Sequence, residues 1–235
     1  MQASANKKDF SQIFHSMLRD LKRPLVVMAR EAELEKSSPI TDTLDSIQHT
    51  AEQTLKLVDS YLLMARSEYG QTALPLESVS IGAVIYDVAQ QIKPAAKKAC
   101  VDIACDVSDG NVMANPEGLQ AMIWCLSDMV VAQASTHTGS IGSSITINSR
   151  ENAQFIRVSV LSKTMEVKNS DIDRARRNQG RAHQALSLAS PDSGIRLAVA
   201  DMLSSALGTN LTAVRSNNMQ GIGFNLLKSR QLALI

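Results

Sequence analysis

Two successive stretches of the chain carry apolar residues at steps of three and four. Phe10, Phe14, Met17, Leu21, Leu25, Met28 and Ala32 form the first set, and Leu44, Ile47, Ala51, Leu55, Val58, Leu62 and Ala65 the second. On a helix this spacing puts each set on one stripe, so the pattern predicts two long amphipathic helices. The first runs from about Asp9, which can cap its opening turn, to Lys36, where Ser37-Ser38-Pro39 closes it. Pro24 falls inside that run, removing one backbone hydrogen bond and bending the helix without ending it. The second helix starts near Thr41 or Asp42, with early acidic residues that suit the helix dipole, and ends at Gly70. Two helices of this length joined by so few residues pack antiparallel, yet a lone hairpin leaves half of each stripe in water. The remaining apolar surface calls for either a second copy, giving a four-helix bundle, or the chain's own C-terminal domain.

From Leu74 onward the texture changes to short alternating runs between single helices. LPLESVSI reads as a linker and strand, Gly82 to Ala99 as a helix containing Pro94, and VDIACDVS as a strand. NVMAN is a brief strand before a long helix from about Pro116, and SITINSRENAQFIRVSVLS alternates over two strands that turn at Glu151-Asn152. Lys163 to Ser190 is polar and reads as a loop with a short helix. SGIRLAVADMLSSALG is a helix closed by Gly208, and NLTAVRS with GIGFNLLKS makes a closing strand pair. The fold class is α+β, with residues 1–73 as a dimerising helical hairpin and residues 74–235 as an α/β sandwich.

With 235 residues, 44% of them hydrophobic and 20% charged, the chain can build one large core or two small ones. A formal net charge of +1 with the two signs interspersed argues against a nucleic-acid partner held by counterion release. No run approaches the roughly 18 apolar residues that span a bilayer, and MQASANKKDF lacks a signal-peptide apolar segment; the expectation is a cytoplasmic protein without membrane contact. Cys100, Cys105 and Cys125 are an odd set with no second Cys or His pair at ligand spacing, so neither a disulfide framework nor a metal site is expected. Cys105 shares a strand face with Val101, Ile103 and Val107 and reads as a core residue. His49, His137 and His183 read as surface residues.

FHSMLRDLKRPL resembles the phosphoacceptor segment of two-component sensor histidine kinases, whose pattern is roughly F-x5-H-E-L-R-T-P-L. Ile13 takes the phenylalanine position, Asp20 the acidic one, Leu21 the leucine, Lys22 the arginine, and Pro24-Leu25 the closing pair. LDSIQHTAEQTLKLVDSYLLMARSEYG is similar to that family's second dimerisation helix. LPLESVSIGAVIYDVAQQIKPAAKKACVDI, NPEGLQAMI and SGIRLAVADMLSSALG resemble parts of its ATP-binding domain. The likeness covers about residues 10 to 228 and implies a dimerising hairpin followed by a histidine-kinase-type ATP-binding α/β sandwich.

The same comparison marks where the family's chemistry is replaced. Arg19 stands at the phosphoacceptor histidine, and a guanidinium offers only donors. In WCLSDMVVAQA an ungapped alignment puts Met129 at the magnesium-binding asparagine, where a thioether is a poor ligand; Asp128, turned by about 100° of helix, is expected to point elsewhere. VLSKTMEV replaces the adenine-binding D-x-G-x-G. In the last glycine-rich run only Gly194 survives, after Ser193, while Arg196 takes a glycine position where backbone approaches phosphate. The resemblance then implies a non-catalytic signalling homodimer that regulates a partner by occupancy, such as a response-regulator receiver domain. It needs no cofactor, with ATP and magnesium entering only if the altered cleft still holds them. The candidate partner surface is Arg19, Asp20, Lys22, Arg23, Val26 and Arg30 with Tyr61 and Met64. Two catalytic alternatives stand beside it. One is a phosphotransferase acting through His15, four residues before Arg19 on the same helix face. The other is a divergent kinase or phosphatase using Asp20 and Lys22.

Overall fold

The computed structural model describes residues 21–22, 24–32, 40–68, 74–136, 143–177 and 193–229. Residues 24–32 are helical (α1) and the long helix α2 follows (Ile40–Glu68). The remainder alternates as the sequence predicts: β1 (Glu77–Ser80), α3 (Ile81–Lys98), β2 (Asp102–Asp106), β3 (Asn111–Ala114), α4 (Pro116–Thr136), β4 (Ser144–Glu151), β5 (Phe155–Ser162), α5 (Asn169–Arg177), α6 (Ser193–Ala206), β6 (Thr212–Ser216) and β7 (Met219–Leu227). Pro94 is accommodated inside α3.

A five-stranded sheet runs in the order β2-β4-β5-β7-β6, with β2 and β4 parallel and the other pairs antiparallel. The parallel pair needs a crossover, which α4 supplies. β1 and β3 form a separate antiparallel pair, from opposite ends of which α3 and α4 set out. Alternate residues of the central strands point to the helices: Ile145 and Ile147 of β4, Ile156, Val158 and Val160 of β5, and Ile222, Phe224 and Leu226 of β7 are all buried. α4 packs on β4 and β5 of this sheet and against α3, α6 and α2, and Leu119, Met122, Ile123, Leu126 and Met129 are fully buried along it. A helix packed on several sides is apolar nearly all round, which is why its amphipathicity is weak in the sequence.

Local chemistry fixes the ends of these elements. Asn115 caps α4, its Oδ1 accepting from Gly118 N at 2.8 Å while its Nδ2 donates to the carbonyl of Pro75 at 3.2 Å. Gly208 closes α6 at φ +69°, and Thr209 N donates to the Ser204 carbonyl at 2.8 Å. Asn217 and Asn218, both at positive φ, form the two-residue turn between β6 and β7. The outer edge of β6 is covered by α5: Asn169 Oδ1 accepts from Ala213 N at 2.8 Å, and Arg176 donates to the Leu211 carbonyl at 3.3 Å. β2 is an edge strand, so its inward face is only half covered and Cys105 is half-buried where the sequence suggested a core position.

Helix α2 has two uses for its surface. Leu57, Ser60, Tyr61 and Leu63 are buried against the sandwich, where α2 meets α4 and α6. The stripe read from the sequence faces another way, with Leu44, Leu55 and Leu62 each more than half exposed. Ser46 of α2 donates to Glu31 Oε1 of α1 at 3.1 Å and accepts from Nζ of Lys98, the last residue of α3, at 3.1 Å. Tyr61, read from the sequence as part of a partner surface, is only 6% exposed and so serves the α2–sandwich contact instead. The span 69–73, which holds the expected boundary between hairpin and sandwich, lies outside the described residues.

Candidate functional site

The α4 residues singled out by sequence point opposite ways from their expected roles. Met129 is fully buried in the core, while Asp128 turns toward α6. There, in the first turn of α6, Arg196 Nε lies 2.6 Å from Asp128 Oδ2. The Asp128 side chain is 11% exposed and that of Arg196 22%, so the charges meet largely away from water. The two atoms form a close charge pair without the alignment of a linear hydrogen bond. Removal of either partner would strand a desolvated charge.

Helix α2 completes this junction. The Ser60 hydroxyl donates to the Lys56 carbonyl at 2.8 Å and is in hydrogen-bond contact with the thiol of Cys125 on α4. Burial pushes that thiol up to about 12, against the smaller opposing effects of Ser60 and Arg196, so Cys125 is an inert core thiol and not a nucleophile. Burial also lowers the Lys56 ammonium, opposed by the charges of Glu52 and Asp128. Three helices that are far apart in sequence thus converge on one carboxylate.

Beside the junction lies a cleft of about 430 Å³ between α2, α3 and α4. Lys56, Asp59 and Leu63 of α2 face Glu117, Gln120 and Trp124 of α4, with Gln91 of α3 at one end. Each group of three follows helical spacing, so each helix presents one face to the cleft. Trp124 is 3% exposed and its indole Nε1 is buried with no acceptor. Among the described residues no group of three or more His, Cys, Asp or Glu is placed to hold a metal ion, and no helix is long and apolar enough to cross a membrane.

No protein-family profile matches the chain, and no curated protein matches it. Solved structures do. The Acinetobacter baumannii histidine kinase AdeS superposes at a TM-score of 0.57 and 14% identity, over 90% of this chain and 98% of that one. Full-length ShkA, solved in complex with AMPPNP, gives 0.55 at 18% identity, over 93% of this chain and 46% of ShkA. The catalytic domain of the histidine kinase ThkA gives 0.51 at 15% identity, over 65% and 95%. The chain has the fold of a histidine-kinase core.

Within the histidine-kinase core fold, the sequence-derived positions divide clearly. Arg196 does face into the region between α4 and α6, and Ser193 and Gly194 open α6. Met129 does not face that region; the residue that does is Asp128, so the expectation that Asp128 points elsewhere is corrected. Of the candidate partner residues, Lys22, Val26 and Arg30 are exposed on the first helix. His15, Arg19, Asp20 and Arg23, and the side chain of Met64, lie outside the described residues. Lys56, Ser60 and Trp124 were not singled out from sequence, since only the approach of α2 to α4 brings them together.

Proposed function

We propose that this chain is a signalling protein of the two-component type that works without nucleotide chemistry, binding and regulating a partner as a homodimer. The observation that carries this reading is the Arg196–Asp128 ion pair. Magnesium and triphosphate do not fit these residues. The carboxylate that faces α6 is already neutralised by a guanidinium, the neighbouring thioether is in the core, and a long side chain stands where glycine backbone would have to approach phosphate. The open stripe of Leu44, Leu55 and Leu62 on α2 supports pairing with a second copy. The exposed Lys22, Val26 and Arg30 support an acidic protein partner, of which a response-regulator receiver domain is the candidate.

Calorimetric titration with ATP and magnesium is expected to give no binding heat; a site of micromolar affinity overturns the reading. Against a receiver domain, the chain is expected to form a complex that Arg30→Glu weakens. An acid-labile phosphate acquired from a phosphorylated receiver and lost in His15→Ala would replace this reading with phosphotransfer.

A further inference from the structure

One edge of the five-stranded sheet is closed and the other is open. At β6 the outer edge is covered by α5, whereas among the described residues β2 pairs with β4 alone. The bond from Asp102 N to the Ser143 carbonyl at 2.9 Å sets the alternation of this parallel ladder. Asp102, Ala104 and Asp106 therefore turn their backbone groups toward β4, and Ile103 and Cys105 turn theirs outward. We propose that this edge and the flank of α3 above it form a groove that takes an extended peptide of alternating apolar and basic residues as an added strand.

The groove is apolar on the side that faces the helices. Ile103, Cys105 and Val107 are half-buried at the rim of the core. Val107 lies against Gly82 of α3, its Cγ1 3.6 Å from where a Cβ would stand. Four residues of helix and two of strand each advance about 6 Å, so Tyr86 stands level with Cys105 on that flank. Tyr86 is 57% exposed. The opposite flank of α3 is already taken, with Gln91 at the cleft toward α4 and Lys98 bonded to Ser46 of α2. An added strand covers Tyr86, Ile103 and Cys105 with one of its faces, which calls for apolar side chains at every second position.

Charge sets the positions between them. The exposed face of β2 carries Asp102 and Asp106, the latter already paired with Arg150. A basic residue on the added strand meets Asp102 across the ladder. The same carboxylates argue against a second copy, since antiparallel pairing of two β2 strands about Ala104 sets Asp102 against Asp106.

The test is fluorescence anisotropy of a labelled peptide of about eight residues alternating valine and lysine, titrated with the full chain. Saturable binding with a Kd of about 10–100 μM is expected, with a peptide alternating valine and glutamate weaker by about 10-fold or more. In the complex the amides of Ile103 and Cys105 are expected to gain protection from hydrogen exchange. Tyr86→Ala is expected to weaken binding by about 5-fold or more, and Asp102→Lys to reverse the preference between the two peptides. Cys105→Pro removes an outward N–H and leaves the ladder to β4 intact, so it is expected to weaken binding by about 10-fold. No binding, equal binding of both peptides, or binding unchanged in Tyr86→Ala or in Asp102→Lys overturns the proposal. So does a dimer that persists in Leu55→Glu and dissociates on adding Cys105→Pro, which makes the occupant a second copy. If Cys105→Pro fails to fold by circular dichroism, Asp102→Lys decides, since that side chain is exposed. None of these outcomes turns on whether ATP binds or a receiver docks.

Discussion

Asp128 carries a carboxylate whose side chain is 11% exposed, and Arg196 is the group that makes this tolerable. Replacing Arg196 by methionine keeps the bulk and removes the charge, which leaves the largely buried carboxylate without its guanidinium partner. Urea unfolding is expected to show a loss of about 2–4 kcal/mol, and Arg196→Met with Asp128→Leu is expected to recover most of it, because an apolar pair of similar size has no charge to strand. Cys125 gives a pH dependence of definite sign. Its thiol ionises near 9.0 when the chain is unfolded and only at about 12 when folded, so between those values the unfolded chain holds fewer protons. Stability is therefore fully present below pH 9, falls as pH rises through that window, and is expected to fall less steeply in Cys125→Ala.

At the scale of the element, α4 matters most, and one residue sets its start. Asn115 satisfies a free amide of the first turn through Oδ1 and ties the approach to β1 through Nδ2. Asn115→Ala removes both bonds and is expected to cost about 1–2 kcal/mol in chemical denaturation, while Asn115→Asp, which retains the cap, costs less. The short helix α5 depends in a comparable way on Arg176, which forks onto the buried Asp201 of α6 at 2.9–3.0 Å and also reaches the Leu211 carbonyl. One side chain thus holds α5 to α6 and shields the edge of the sheet. The span from Lys163 to Ser190 reads in sequence as a loop with a short helix; Asn169–Arg177 is helical, and these tertiary bonds hold it in place.

For the whole molecule, the decisive feature is that α2 has apolar residues on two faces. Leu57, Tyr61 and Leu63 are taken by the sandwich, and Leu44, Leu55 and Leu62 are left open within the chain. A large exposed apolar stripe is a binding surface, and on a long helix its usual occupant is another helix. Sedimentation is expected to show a dimer that Leu55→Glu shifts toward monomer, without loss of the sandwich, since Leu55 is 63% exposed within the chain. If the variant instead unfolds the sandwich, the two faces are not separable as described.

Sequence alone determined the elements from Leu74 onward: alternation marked the strands, Asn115-Pro116 and Gly208 marked helix ends, and the order of elements matched one fold. These features are local, so they are legible along the chain. The resemblance also singled out Arg196, because it takes a glycine position in the last glycine-rich run. Only the tertiary structure decided that Asp128 and not Met129 meets it, since a one-residue shift on a buried helix changes the facing side by about 100° while altering no local pattern. It alone decided that Tyr61 is buried, that Lys56 and Trp124 share a cleft, and which stripe of α2 remains open. Each of these depends on how distant helices approach one another, and that approach is set by the shape of the packed core and not by the residues nearest in sequence.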